Sequence, residues 1–177
     1  NNISNPPLPP FSKGGMRGLF SSSFVSQGLM GVSSHDIVPT QKAEKAGTGS
    51  VSVYDRALKM YRRGEFREVI QLLRQKRTID AGDANLLGWA YLKTGDAEEA
   101  IRQFSRSVSL APSSYDSYCG LGFSYMRTGR LREALDSFDK GTSGNSKDIE
   151  CLLGKAGVLE RLEEKEKAAD VYRKVLS

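Results

Sequence analysis

From Ser50 to the end of the chain, apolar and small residues keep to one helical face, in a pattern that returns every 34 residues. Leu87, Gly88, Tyr91, Gly95, Ala100 and Phe104 recur as Leu121, Gly122, Tyr125, Gly129, Ala134 and Phe138. A weaker copy places Ala156, Leu159, Ala168 and Tyr172 another 34 residues on. When each unit is numbered so that its first small residue is position 8, the units begin at Ser50, Ala81, Tyr115 and Ile149, with spacings of 31, 34 and 34. Within a unit the apolar spacing predicts a helix of about 13 residues, a turn, and a second helix returning antiparallel. The turns are Arg63-Gly64-Glu65, Thr94-Gly95-Asp96 and Thr128-Gly129-Arg130. A glycine just past a helix end closes the last carbonyls in the left-handed conformation at little steric cost.

Small residues at position 8 (Ala57, Gly88, Gly122, Ala156) and at position 20 (Val69, Ala100, Ala134, Ala168) let the paired helices approach. Large ones fill the gaps between units: Met60, Tyr91, Tyr125 and Leu159 at position 11, and Leu73, Phe104, Phe138 and Tyr172 at position 24. Pro112 falls between units, where a helix must stop. A chain built this way buries each unit on its neighbours, which suits binding better than chemistry at one enclosed site. Gly141, followed by Thr-Ser-Gly-Asn-Ser, is expected to fray the end of the third unit's second helix, with a longer loop as the alternative.

Composition narrows the picture. The net charge of +5 is mildly basic, far from that of a dedicated nucleic-acid binder, so nucleic acid is not indicated. Cys119 and Cys151 lie on separate helices without C-x-x-C spacing and are read as free thiols, so neither a disulfide framework nor a zinc site is argued. No metal or cofactor is implied. The helical part has no histidine, since the single one is His35, and no glycine-rich phosphate loop follows a strand, so a catalytic site is not expected. Acid pairs such as Glu98-Glu99 and Glu163-Glu164 read as solvated helix faces. No run of 18 apolar residues crosses a membrane. Residues 1–49, rich in Pro, Gly and Ser and without periodicity, are expected to be a disordered tail or linker; lysine, arginine and serine without acids before Asp36 leave an organelle transit peptide as the alternative. The chain begins with Asn1 rather than Met, as a fragment or processed form would.

Residues 50–177 resemble tetratricopeptide repeats: Leu87, Gly88, Tyr91, Ala100, Phe104 and Pro112 form a near-complete signature, and the third unit matches almost as well. The resemblance implies an all-α solenoid of about four antiparallel helix pairs, with units at 50–80, 81–114, 115–148 and 149–177. Arg56 and Lys155 stand where the family usually has leucine, and Glu163 replaces the turn glycine, as suits atypical terminal units.

The same resemblance implies a concave groove lined by the first helix of every unit, chiefly at positions 2, 5, 9, 12 and 13. The candidate contacts are then Tyr54 at position 5, Leu58, Trp89 and Phe123 at position 9, and Tyr61, Leu92 and Met126 at position 12. Position 13 supplies a basic ladder of Arg62, Lys93, Arg127 and Arg161. The asparagines with which chaperone-binding members grip a terminal carboxylate are missing from position 9. Trp89 and Phe123, if exposed in the groove, would anchor an apolar residue of a partner; the competing reading packs them on their own neighbours. The ladder likewise has two readings, cations at helix C-termini or a track for an acidic ligand. The expected partner is a protein or peptide segment, apolar with acidic flanks. Alternative functions are a substrate-recruiting arm of a larger enzyme or, as a third reading, an RNA-binding helical repeat. Val171, Val175 and Leu176 leave an apolar face on the last helix, open to further chain or to self-association. The compartment expected is the cytoplasm, with an organelle or the cell envelope as alternatives.

Overall fold

The computed structural model describes residues 51–176. The tail expected at residues 1–49 lies outside them. The described residues form eight helices and no strand: α1 (Val53–Arg62), α2 (Phe66–Arg74), α3 (Ala81–Thr94), α4 (Ala97–Leu110), α5 (Tyr115–Arg127), α6 (Leu131–Gly144), α7 (Ile149–Arg161) and α8 (Lys165–Val175). Each helix packs on the next, and α1, α3, α5 and α7 also touch in succession, so the first helices of four pairs make one continuous wall. This is an α-solenoid of antiparallel helix pairs.

Local chemistry sets the helix ends. Ser52 and Asp80 start α1 and α3 with reciprocal capping boxes to Asp55 and Asp83, and Asp148 caps α7 by accepting from the Cys151 amide. Gly64, Gly95 and Gly129 turn the chain with φ between +78° and +97°. In the fourth pair Glu163 takes the same left-handed backbone, φ +63°, although it carries a side chain.

The core is built by aromatic rings seated against glycine. Phe104 of α4 is fully buried between Gly88 of α3 and Gly120 of α5; a Cβ at Gly88 would come within 2.7 Å of its ring. Phe138 of α6 repeats the arrangement between Gly122 and Gly154, where a Cβ would come within 2.6 Å at either site. Position 6 of the units is therefore a second glycine position, and the repeat pattern alone did not single it out.

Two expectations are corrected. Cys119 and Cys151 are not free thiols; they form a disulfide, Cα–Cα 5.5 Å, tying α5 to α7 across the third and fourth pairs. Gly141 does not fray α6, which runs on to Gly144. It is buried, and a Cβ there would lie 2.5 Å from the Cys119 sulfur and 2.8 Å from that of Cys151. The glycine makes room for the bond, and its helix-propensity cost of about 1 kcal/mol is offset by that close packing. At the last helix, Val171 is buried and Val175 partly buried against the α7–α8 cluster, so of the apolar face expected to stay open only Leu176 is exposed.

Candidate functional site

The wall of first helices carries the groove positions. Trp89 and Phe123 are 2% and 7% exposed. Their rings are 6.2 Å apart; Trp89 stands edge-on to Phe104 at 5.2 Å, and Phe123 to Phe138 at 5.0 Å. The four rings make one buried file from α4 through α3 and α5 to α6, each pair adding about 0.5–1.5 kcal/mol beyond its burial. The reading of Trp89 and Phe123 as exposed anchors is corrected: their faces are already taken by their neighbours. Tyr54, Tyr61, Leu92 and Met126 are buried as well, and Leu58 is half-buried.

A polar network runs beside the rings. The Trp89 indole Nε1 donates to Asp116 Oδ2 at 3.2 Å. Asn85 Nδ2 donates to Ser117 Oγ at 2.7 Å, Ser117 meets Ser107, and Ser107 donates to the Ala81 carbonyl, so α3, α4 and α5 are joined through side chains. Burial pushes the Asp116 carboxyl up to about 6, against hydrogen bonds from Trp89 and Asn85 that favour its charged form. Burial likewise raises the Tyr54 hydroxyl to about 12, with Asp116 and other nearby carboxylates adding to it, and moves Tyr61 upward.

Position 13 behaves differently. Arg127 and Arg161 are exposed, yet each places Nη1 on a carbonyl one unit back: Arg127 donates to Leu92 O at 2.9 Å and Arg161 to Met126 O at 3.0 Å. These carbonyls lie in the last turns of α3 and α5, where the helix has acceptors to spare. Each arginine thus caps the preceding first helix and keeps its other N–H groups for solvent or ligand. Lys93 is half-buried, and burial lowers its pKa, with Glu150 opposing the shift and Arg127 adding to it. Arg62 is exposed. The structure therefore separates the ladder, which remains accessible, from the aromatics, which do not.

Among the described residues, no cluster of histidine, cysteine, aspartate and glutamate could hold a metal, and no helix is long and apolar enough to cross a membrane.

Paired antiparallel helices stacked through their first members define a helical-repeat protein. A family model for the tetratricopeptide repeat matches residues 85–148. Residues 85–148 are thus similar to tetratricopeptide repeats, and the helix pairs on either side continue the same architecture. Solved structures agree on the fold. The crystal structure of MamA superposes with a TM-score of 0.65 at 20% identity, covering 70% of this chain and 74% of that one. YrrB, described as a TPR protein with an unusual peptide-binding site, gives 0.63 at 17% identity, over 70% and 66%. TTC0263, a thermophilic TPR protein from Thermus thermophilus, gives 0.61 at 19%, over 70% and 71%. None of the curated proteins compared with the chain matches it by sequence.

Proposed function

We propose that the chain binds an extended peptide segment of a partner protein along its wall of first helices, and that the position-13 cations, rather than the aromatics, do the recognising. The observation that carries this reading is the pair of carbonyl-anchored arginines. Arg127 and Arg161 are held in the same pose one repeat apart, and their remaining donors point to a ligand with acceptors at matching intervals. Lys93, one step earlier, extends the row. Acidic groups flanking an apolar stretch suit it, because cations fix register and steer encounter while the half-buried Leu58 offers apolar contact. YrrB supports peptide binding on this fold without identifying the peptide.

Truncating Trp89 or Phe123 cannot test this function, since removing either ring would cost about 3–5 kcal/mol of stability and confound binding with unfolding. Lys93→Glu reverses a charge in the row and leaves the rings in place. Titrated with labelled peptides of about twelve residues, apolar with acidic flanks and long enough to span two units, the Lys93→Glu chain is expected to bind about tenfold more weakly than wild type. Equal affinity would contradict the groove reading. The Cys119–Cys151 bond also supports an oxidising compartment over the cytoplasm as the place where the chain folds.

A further inference from the structure

We propose that the shortened junction between the first and second helix pairs is a separate binding site: a cationic cleft for a short acidic peptide segment that carries an aliphatic side chain between its carboxylates. The spacing of 31 residues in place of 34 is the source. Helix α2 has 9 residues where its counterparts α4 and α6 have 14. At about 1.5 Å per residue it stops roughly 7 Å early, and the chain crosses to α3 through residues 75–80. A cleft of about 440 Å³ opens between that crossing, α3 and α4.

Its lining has two parts. The half-buried Ile79, with the edges of the nearly buried Leu87 and Tyr91, supplies a small apolar floor, and Arg74, Arg77 and Arg106 stand around it. The other charges nearby are already engaged. Lys76 pairs with the buried Asp83. Glu99 is held by Arg102, whose hydrogen bond is the main reason its carboxyl lies below the usual range, and by Gln103. Arg74 meets the Tyr91 hydroxyl. Among the described residues neither Arg77 nor Arg106 has an ion-pair partner. Glu99, the one carboxylate in the lining, is shared between Arg102 and Arg74, so Arg77 and Arg106 leave positive charge that it does not neutralise.

Guanidinium forks take carboxylates in bidentate fashion. A bare oxyanion or a nucleic-acid backbone would use the forks and waste the floor, whereas a peptide with an aliphatic residue flanked by acids uses both. Leu87 and Tyr91 are two residues on either side of Trp89, so the cleft opens on the face of α3 opposite that ring. It does not depend on the groove reading.

The test is fluorescence anisotropy of a labelled five-residue peptide, leucine flanked by two acids on each side, against the full chain. Five residues reach only about 17 Å and do not track successive units. Arg77→Glu with Arg106→Glu is expected to weaken binding at least tenfold, and Lys93→Glu to leave it within twofold of wild type. Both arginines are exposed, so the fold should survive; circular dichroism checks it, and Arg77→Gln with Arg106→Gln serves if charge reversal perturbs the helices. Loss of binding with Lys93→Glu alone would place the peptide in the groove and overturn the cleft while leaving the groove reading standing. A peptide with serine in place of leucine that binds as tightly, and is displaced by millimolar inorganic phosphate, would reduce the cleft to a simple oxyanion site and overturn the peptide assignment. So would a chain that binds no such peptide.

Discussion

The junction between the second and third helix pairs and the junction between the first and second are built from the same positions with different residues. At the former, Phe104 is clasped by Gly88 and Gly120, and the third-to-fourth junction repeats this with Phe138, Gly122 and Gly154. At the latter, the equivalent positions hold Leu73, Ala57 and Leu86, all fully buried. A smaller knob between larger neighbours fills comparable space without a ring, and α2 ends before covering the side of α3. One junction type spends its aromatics on close packing; the other leaves an arginine-rimmed cleft open. The irregular junction leaves charged surface open, whereas the strongest repeat signature marks the interior.

Perturbing one junction at a time would sharpen or break this contrast. The largest effect is expected from the disulfide, which belongs to the third-to-fourth junction. Closing a loop across a sequence separation of 32 contributes about 3–4 kcal/mol in the chain-entropy model, so Cys119→Ser with Cys151→Ser should lower the urea midpoint accordingly. Hydrogen exchange should rise in α7 and α8 while the short junction is unchanged; a uniform rise along the chain would show that the junctions do not differ in this way. A smaller effect, with opposite signs at two sites, separates the glycines. Gly120→Ala puts a methyl group into the Phe104 ring and should lose about 1 kcal/mol, overpacking outweighing the gain in helix propensity. Gly82→Ala, beside the short junction, meets nothing closer than 3.4 Å and should gain about 0.5–1 kcal/mol. Thermal melts of both variants check the pair; equal signs would remove the packing distinction.

The period and the turn glycines were legible in the sequence because each answers a local demand: Gly64, Gly95 and Gly129 do take the left-handed turns. The glycines at position 6 were not legible, since the ring each one accommodates comes from the preceding unit, and Gly141 looked like a helix breaker for the same reason. Its purpose depends on two sulfurs, from α5 and α7, that only the fold brings together. The groove list mixed two kinds of residue. Position 13 reaches solvent as its place in the repeat implies, whereas position 9 turns inward because Phe104 and Phe138 provide edges for Trp89 and Phe123 to stack on. The cleft was present in the sequence only as three missing residues, and a deletion does not reveal which side chains will surround the gap.

That the repeat's most conspicuous aromatics are core can be tested on Trp89, the only tryptophan in the chain. Its intrinsic fluorescence needs no label and no substitution. The buried indole is expected to give a blue-shifted emission that neither iodide nor acrylamide quenches appreciably until the chain is unfolded in denaturant. A red-shifted emission, quenched by iodide in the native protein as readily as in the unfolded one, would place the indole at the surface and contradict it.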